Sequence, residues 1–156
     1  MEVTFWGTGA SEGWPAIFCD CPACCYAREH GEIRTRSQLC IDRELLVDFG
    51  PDTYAHALQY GVCLNRIHTV LVTHSHSDHF YAPDLGCILD NYNPAAERKP
   101  LTIYGNAAVH AAGEALKASY AGWSGLEKLR FVSAVPGRWI QLPGARVLPL
   151  LADHAP

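Results

Sequence analysis

The chain has 156 residues, 49 % of them hydrophobic and 18 % charged, with 12 Lys and Arg against 16 Asp and Glu for a net charge of −4. That size suits one domain or part of a larger one, the apolar content excludes a disordered chain, and the weak acidity gives no electrostatic footprint for nucleic acid or an anionic membrane. No stretch nears the ~18 apolar residues of a membrane span, the opening MEVTFWGTGA lacks a signal peptide's pattern, and an odd count of 7 cysteines argues for reduced thiols in a cytoplasmic protein.

In chain order, EVTFW (2–6) reads as a strand ending in a Gly7/Gly9 turn. Residues 8–37 form a long connection carrying cysteines and glycines, with one short helix around 23–30. QLCI and ELLVDF are two strands joined by a tight Asp42–Arg43 turn. Pro51 can open a helix that Gly61 closes. IHTVLVT (67–73) is apolar and β-branched enough to predict a strand buried on both faces. A helix from about 83 to 91 follows, then strand LTIYG and an Ala-rich helix over 106–121. The tail reads as three strands, LRFVSAV, RWIQL and RVLPLLA. Strands mixed with helices predict an α/β fold, a sheet flanked by helices on at least one face.

THSHSDHF (73–80) places three of the eight histidines around Asp78, directly behind the strand 67–73. The cluster therefore sits at the carboxyl edge of a sheet, where ligand sites of α/β proteins concentrate. Alternate residues of extended chain point the same way, so His74 and His76 can share one metal. Asp78 and His79 fall where the backbone turns and can face a second. A polar loop, or a helix N-terminus capped by Ser77 or Asp78, needs one polar side chain rather than four. Imidazole and carboxylate suit zinc, manganese or iron, and two such ions at ~3.5–4 Å suit hydrolysis at a phosphoryl or carbonyl group.

Cys19, Cys21 and Cys24 in CDCPACC are spaced so that one loop can wrap three thiolates around a structural zinc. The adjacent Cys25 is poorly placed to share that ion. Cys40, Cys63 and Cys87 lie in apolar contexts and are expected in the core. His30, His56, His68 and His110 are isolated and read as surface or satisfied core residues. Arg34-Thr35-Arg36 could touch a phosphate, but reads more simply as a solvated turn.

HSHSDH matches the His-x-His-x-Asp-His signature of the metallo-β-lactamase superfamily of dinuclear hydrolases. FWGTGASEGWP resembles the opening strand and glycine turn of its phosphodiesterase-like branch, and LLVDFG the element that precedes the signature. CDCPACC resembles the cysteine insertion of two members, the phosphodiesterase of the carbon–phosphorus lyase pathway and the B protein of pyrroloquinoline quinone biosynthesis. The intact signature favours the phosphodiesterase.

The resemblance covers essentially the whole chain and implies a four-layer αββα sandwich, of which these 156 residues supply the first half. It assigns His74, His76 and, from LLADHAP, His154 to one metal, and Asp78 and His79 to the other. On its own His154 reads as a surface histidine. Asp48 is implied to orient a ligand histidine, although an Asp starting a turn accounts for it equally. Asp78 is the implied catalytic residue, orienting the attacking water.

The resemblance further implies a small or cyclic phosphodiester substrate, zinc or manganese at the dinuclear site, and one structural zinc at the cysteine loop. Neither nucleic acid nor a membrane is the expected partner, and a homo-oligomer is compatible. A bridging Asp, a last metal His and the fourth ligand of the cysteine site follow later in the family. The chain is therefore expected to be a single domain over 1–156, incomplete at its C-terminus, with a Cys-rich insertion at about 15–37. Alternatives are a tRNA 3′-end endonuclease of the same superfamily, or a zinc-stabilised binding or assembly protein without catalysis.

Overall fold

The structure, a computed structural model, describes residues 1–93 and 99–153. Its centre is a six-stranded sheet in the order β1-β2-β3-β4-β5-β6. The strands are β1 (Val3–Gly7), β2 (Gln38–Ile41), β3 (Leu45–Val47), β4 (Thr69–Leu71), β5 (Leu101–Gly105) and β6 (Leu129–Ser133). β1, β2 and β3 pair antiparallel, whereas β3 through β6 run parallel, so the carboxyl ends of four strands share one edge. Among the described residues three α-helices connect them: α1 (Pro22–His30), α2 (Thr53–Gln59) and α3 (Ala107–Ser119). A separate hairpin, β7 (Ile140–Leu142) and β8 (Ala145–Val147), closes the described chain.

Local chemistry explains most boundaries. Pro22 opens α1, where its missing N–H costs nothing, and Gly31 ends it in the left-handed region at φ 67°. Asn106 caps α3 by accepting a hydrogen bond from the Val109 amide at 3.0 Å. Asp42 and Arg43 make the tight β2–β3 turn with positive φ at both residues, 50° and 59°. Pro51 stands in the turn before α2 rather than inside the helix, which starts at Thr53.

Alternation sends Cys40, Leu46, Val70 and Ile103 to one face of the sheet, where they meet Ala57, Ile67, Leu85 and Val109 from the connecting segments. Leu46, Val70 and Ile103 are fully buried. Burial of each such side chain is worth roughly 1.5–3 kcal/mol. These residues anchor β3 and β4 just before their carboxyl ends, which is what holds the site's loops in place.

Four further expectations are corrected. The strand 67–73 is shorter, Thr69–Leu71, and only Val70 is buried in it, because helices cover one face of the sheet. The other face carries Phe5, Leu39, Val47 and Leu71, half-buried or exposed. The helix placed at 83–91 is a 3-10 turn, Ala82–Ile88. Its Gly86 packs against the Tyr120 ring so closely that a Cβ would lie 2.6 Å from the hydroxyl, an approach that requires glycine. The last strand stops at Val147, since Pro149 has no N–H for a ladder. Cys63 and Cys87 are exposed, not core, while Cys40 is buried as expected.

Candidate metal centre

β3 and β4 lie side by side and parallel, and both run out into the loops that form the site. Pairing continues past the strands: the Asp48 amide donates to Leu71 O at 2.8 Å, the Phe49 amide to His79 O at 2.8 Å and the Tyr81 amide to Phe49 O at 2.7 Å. Asp48 turns with φ 69°, a left-handed conformation that Asp tolerates better than most residues because its short side chain bonds locally. Gly50 passes directly beneath the Asp78 backbone. A Cβ at Gly50 would stand 2.1 Å from the Asp78 carbonyl oxygen, so only glycine permits this approach.

The Asp48 carboxylate is buried. Its Oδ1 accepts from the Thr73 amide at 2.8 Å and the Thr73 hydroxyl at 2.9 Å. Its Oδ2 lies 2.7 Å from His79 Nδ1. The shared proton therefore belongs on Nδ1, which leaves the His79 Nε2 lone pair facing Asp78 Oδ2 at 3.2 Å. Two acceptors at that separation repel unless a proton or a cation joins them.

Thr73 extends the same logic. Having spent its hydroxyl proton on Asp48, it can accept from His74 Nδ1 at 3.1 Å. The His74 Nε2 lone pair is then directed at His76 Nδ1, 3.1 Å away. The His74 ring sits 4.6 Å from that of His76 and 4.1 Å from that of His79. His74, His76, Asp78 and His79, with Ser77, Ala10 and Ser11, line a cleft of about 400 Å³. Nitrogen and carboxylate donors in two close pairs are of the ligand types that divalent ions such as zinc take.

The four clustered residues of the sequence are thus brought together, on a turn rather than at a helix N-terminus. Asp48 is both the turn former and the partner of His79. His154 lies outside the described residues. Thr73, Gly50 and Ser11 were not legible as site residues. For Thr73 the available signal was a hydroxyl at the junction of a buried strand and a histidine cluster. A second cavity of about 340 Å³, lined by Phe49, Ile67, Leu85 and Leu101 among others, shares no lining residue with this cleft.

The cysteine loop is a second candidate centre. Among the described residues, Cys19, Cys21 and Cys24 form the one group of three ligand atoms that all lie within 4.8 Å of one another. Cys21 precedes α1 at its N-terminus, where the first-turn amides, that of Cys24 foremost, face its sulfur and lower its pKa. The neighbouring thiols act in the same direction. A lowered thiol pKa favours the thiolate that a metal requires. Cys25 stands apart, its sulfur donating to Asp20 O at 3.2 Å. Arg34 and Arg36 are not a matched basic pair: the Arg36 guanidinium pairs with Asp52 at 2.9 Å, whereas Arg34 is exposed and bonds Trp14 only through the main chain.

No family model matches the chain. Ribonuclease Z of Staphylococcus carnosus is 30% identical over 105 residues, which span 67% of this chain and 30% of that protein. An octanoyltransferase of Porphyromonas gingivalis is 35% identical over 83 residues, but only 16% of that protein is involved and 51% of this chain. Among solved structures, a diphosphatase from the PhnP family superposes with a TM-score of 0.67 at 25% identity, covering 92% of this chain and 54% of its own. Zinc-bound PqqB from Methylobacterium extorquens superposes with a TM-score of 0.70 at 22% identity, covering 95% and 55%.

The chain therefore has the metallo-β-lactamase fold, and the His-x-His-x-Asp-His segment at its sheet edge is similar to the metal-binding signature of that superfamily. Within the superfamily its likeness is to the PhnP, PqqB and ribonuclease Z proteins, and it spans about half the length of the two solved structures. No helix among the described residues is long and apolar enough to cross a membrane.

Proposed function

We infer that the chain belongs to a metal-dependent phosphodiesterase acting on small or cyclic phosphodiesters, with His74, His76, Asp78 and His79 as metal ligands. One observation carries this reading: His79 Nε2 and Asp78 Oδ2, both lone-pair acceptors once Asp48 holds Nδ1–H, face each other at 3.2 Å. Asp78 and His79 would hold a divalent cation there, and His74 and His76 would offer a second pair of nitrogen donors in the same cleft. Divalent ions bound there would supply an acidified water, pKa ~7, and neutralise charge on phosphoryl oxygens. The superfamily supplies His154 as a further ligand.

Hydrolysis adds water across one ester bond: an oxygen–phosphorus bond forms, the ester bond breaks, and the leaving oxygen takes a proton. The chain's own contributions are positional. Asp48 and Thr73 fix the imidazole tautomers of His79 and His74, and Asp78 can orient the attacking water from the cleft wall. Zinc or manganese is the expected ion at these donors, and a zinc with a structural role is expected at Cys19, Cys21 and Cys24.

The test is turnover of bis(p-nitrophenyl) phosphate by the metal-loaded protein. His76→Ala is expected to abolish it while leaving thermal unfolding nearly unchanged, because His76 is exposed. Wild-type turnover in that variant would refute the assignment. The 30% identity to a ribonuclease Z favours a second reading, endonuclease action on tRNA 3′ ends. Cleavage of a tRNA precursor, with no turnover of the small ester, would establish it. The superposition on PqqB keeps a non-catalytic, zinc-stabilised protein as the outcome if neither substrate is cleaved.

A further inference from the structure

Behind the site lies a buried chain of polar side chains that the proposed chemistry does not use. Gln38, Thr53 and His56 are all 3% exposed or less, and they come from β2 and α2. Gln38 Nε2 donates to Asp48 O at 2.9 Å and to Thr53 Oγ1 at 2.8 Å. The Thr53 hydroxyl donates to Gly50 O at 2.6 Å. His56 Nδ1 lies 2.6 Å from Gln38 Oε1, and its Nε2 lies 2.6 Å from Thr35 Oγ1.

The direction of every bond follows from one fixed point. The Asp48 carbonyl can only accept, so the Gln38 amide nitrogen faces it and its oxygen faces His56. That oxygen can only accept, so His56 carries its proton on Nδ1. Its Nε2 is then an acceptor, and Thr35 donates its one hydroxyl proton there at 2.6 Å in preference to the Trp6 carbonyl at 3.4 Å. Burial disfavours the charged imidazole, in keeping with a neutral ring. No donor or acceptor in the chain is left over. Such a fully satisfied network is stiff, and a single deletion strands a buried group.

Both ends of the bonded Asp48–Gly50 turn touch the site. The Asp48 side chain holds His79 Nδ1, and Gly50 carries the Asp78 backbone. We propose that Gln38, Thr53 and His56 are positioning residues, which hold the Asp48–Gly50 turn in the conformation that directs Asp48 onto His79. The proposal deepens the metal-hydrolase reading, but its first readout is independent of metal.

The experiment uses Thr53→Val, which keeps the volume and removes the hydroxyl, with Thr53→Ser as the conservative rescue. Long-range 1H–15N spectra of the metal-free protein report the His79 tautomer. The wild type is expected to show Nδ1–H alone, Thr53→Val a mixture of tautomers, and Thr53→Ser the wild-type pattern. Metal titration should show affinity at the histidine cluster reduced about 10-fold in Thr53→Val, as for loss of a partner that orients a ligand. Binding at the cysteine loop, which a general loss of stability would also weaken, should not change.

Gln38→Met, which removes both donations, serves if Thr53→Val is too unstable to study and should move both readouts the same way. An unchanged His79 tautomer in these variants would overturn the proposal, as would equal weakening of both metal sites. A wild-type histidine cluster that binds no metal would defeat the hydrolase reading instead, while the ring spectra still decide the role of the buried chain.

Discussion

Asp48 Oδ2 and His79 Nδ1 lie 2.7 Å apart across the carboxyl ends of two parallel strands, 31 residues apart in sequence. The bond determines which imidazole nitrogen faces the cleft. Asp48→Asn keeps the shape but can present an amide N–H to Nδ1, which forces the proton to Nε2 and turns the ligand atom into a donor. Metal affinity at the histidine cluster is expected to fall about 10–100-fold, with turnover falling in parallel. Calorimetric titration with zinc measures this, and an unchanged affinity would show that Asp48 serves only the turn.

Gly50 gives a steric counterpart. In Gly50→Ala the added methyl must displace the Asp78 backbone, since that carbonyl oxygen stands 2.1 Å from the ideal Cβ and belongs to main chain that cannot rotate away. Overpacking of this kind costs roughly 1–3 kcal/mol. The displaced segment carries Asp78, so turnover per folded molecule should drop along with the urea midpoint. A variant that loses stability yet keeps full turnover would place the strain elsewhere.

The parts of the site that could be read in advance are those written contiguously. His74, His76, Asp78 and His79 lie within six positions behind a β-branched run, and the cysteine spacing is equally local. Asp48 was visible only as two equal alternatives, because choosing between them needs the parallel register of β3 on β4. Gln38, Thr53 and His56 were invisible as a unit, since their bonds join residues 10 to 21 positions apart. Cys63 and Cys87 sit among apolar residues, and composition alone could not say which way they face.

His56 should leave a mark on stability. Burial lowers its pKa from the ordinary value of about 6.5. Above that value the residue is neutral in folded and unfolded chains, and its contribution is fully present. As pH falls through about 6.5 the unfolded chain binds the proton first, so stability declines until the folded ring also titrates. Urea midpoints of chelator-treated protein are expected to fall between pH 7.5 and 5.5, by less in His56→Gln. Equal slopes for both proteins would mean that the buried ring does not stay neutral.

The two centres should separate by what their loss affects. A cluster of three sulfurs at the start of α1 offers thiolates, and thiolate-rich zinc sites leave no position for water or substrate. A zinc held there therefore contributes to folding, about 2.7 kcal/mol when free zinc stands 100-fold above the dissociation constant. Cys21→Ser should remove one zinc per chain by elemental analysis and lower the melting temperature, while turnover per folded, metal-loaded molecule stays near that of the wild type. His76→Ala should do the reverse, because His76 is an exposed residue of the cleft and Cys21 does not line it. If Cys21→Ser abolished turnover at a temperature where the chain is fully folded, the cysteine loop would belong to the reaction rather than to the scaffold.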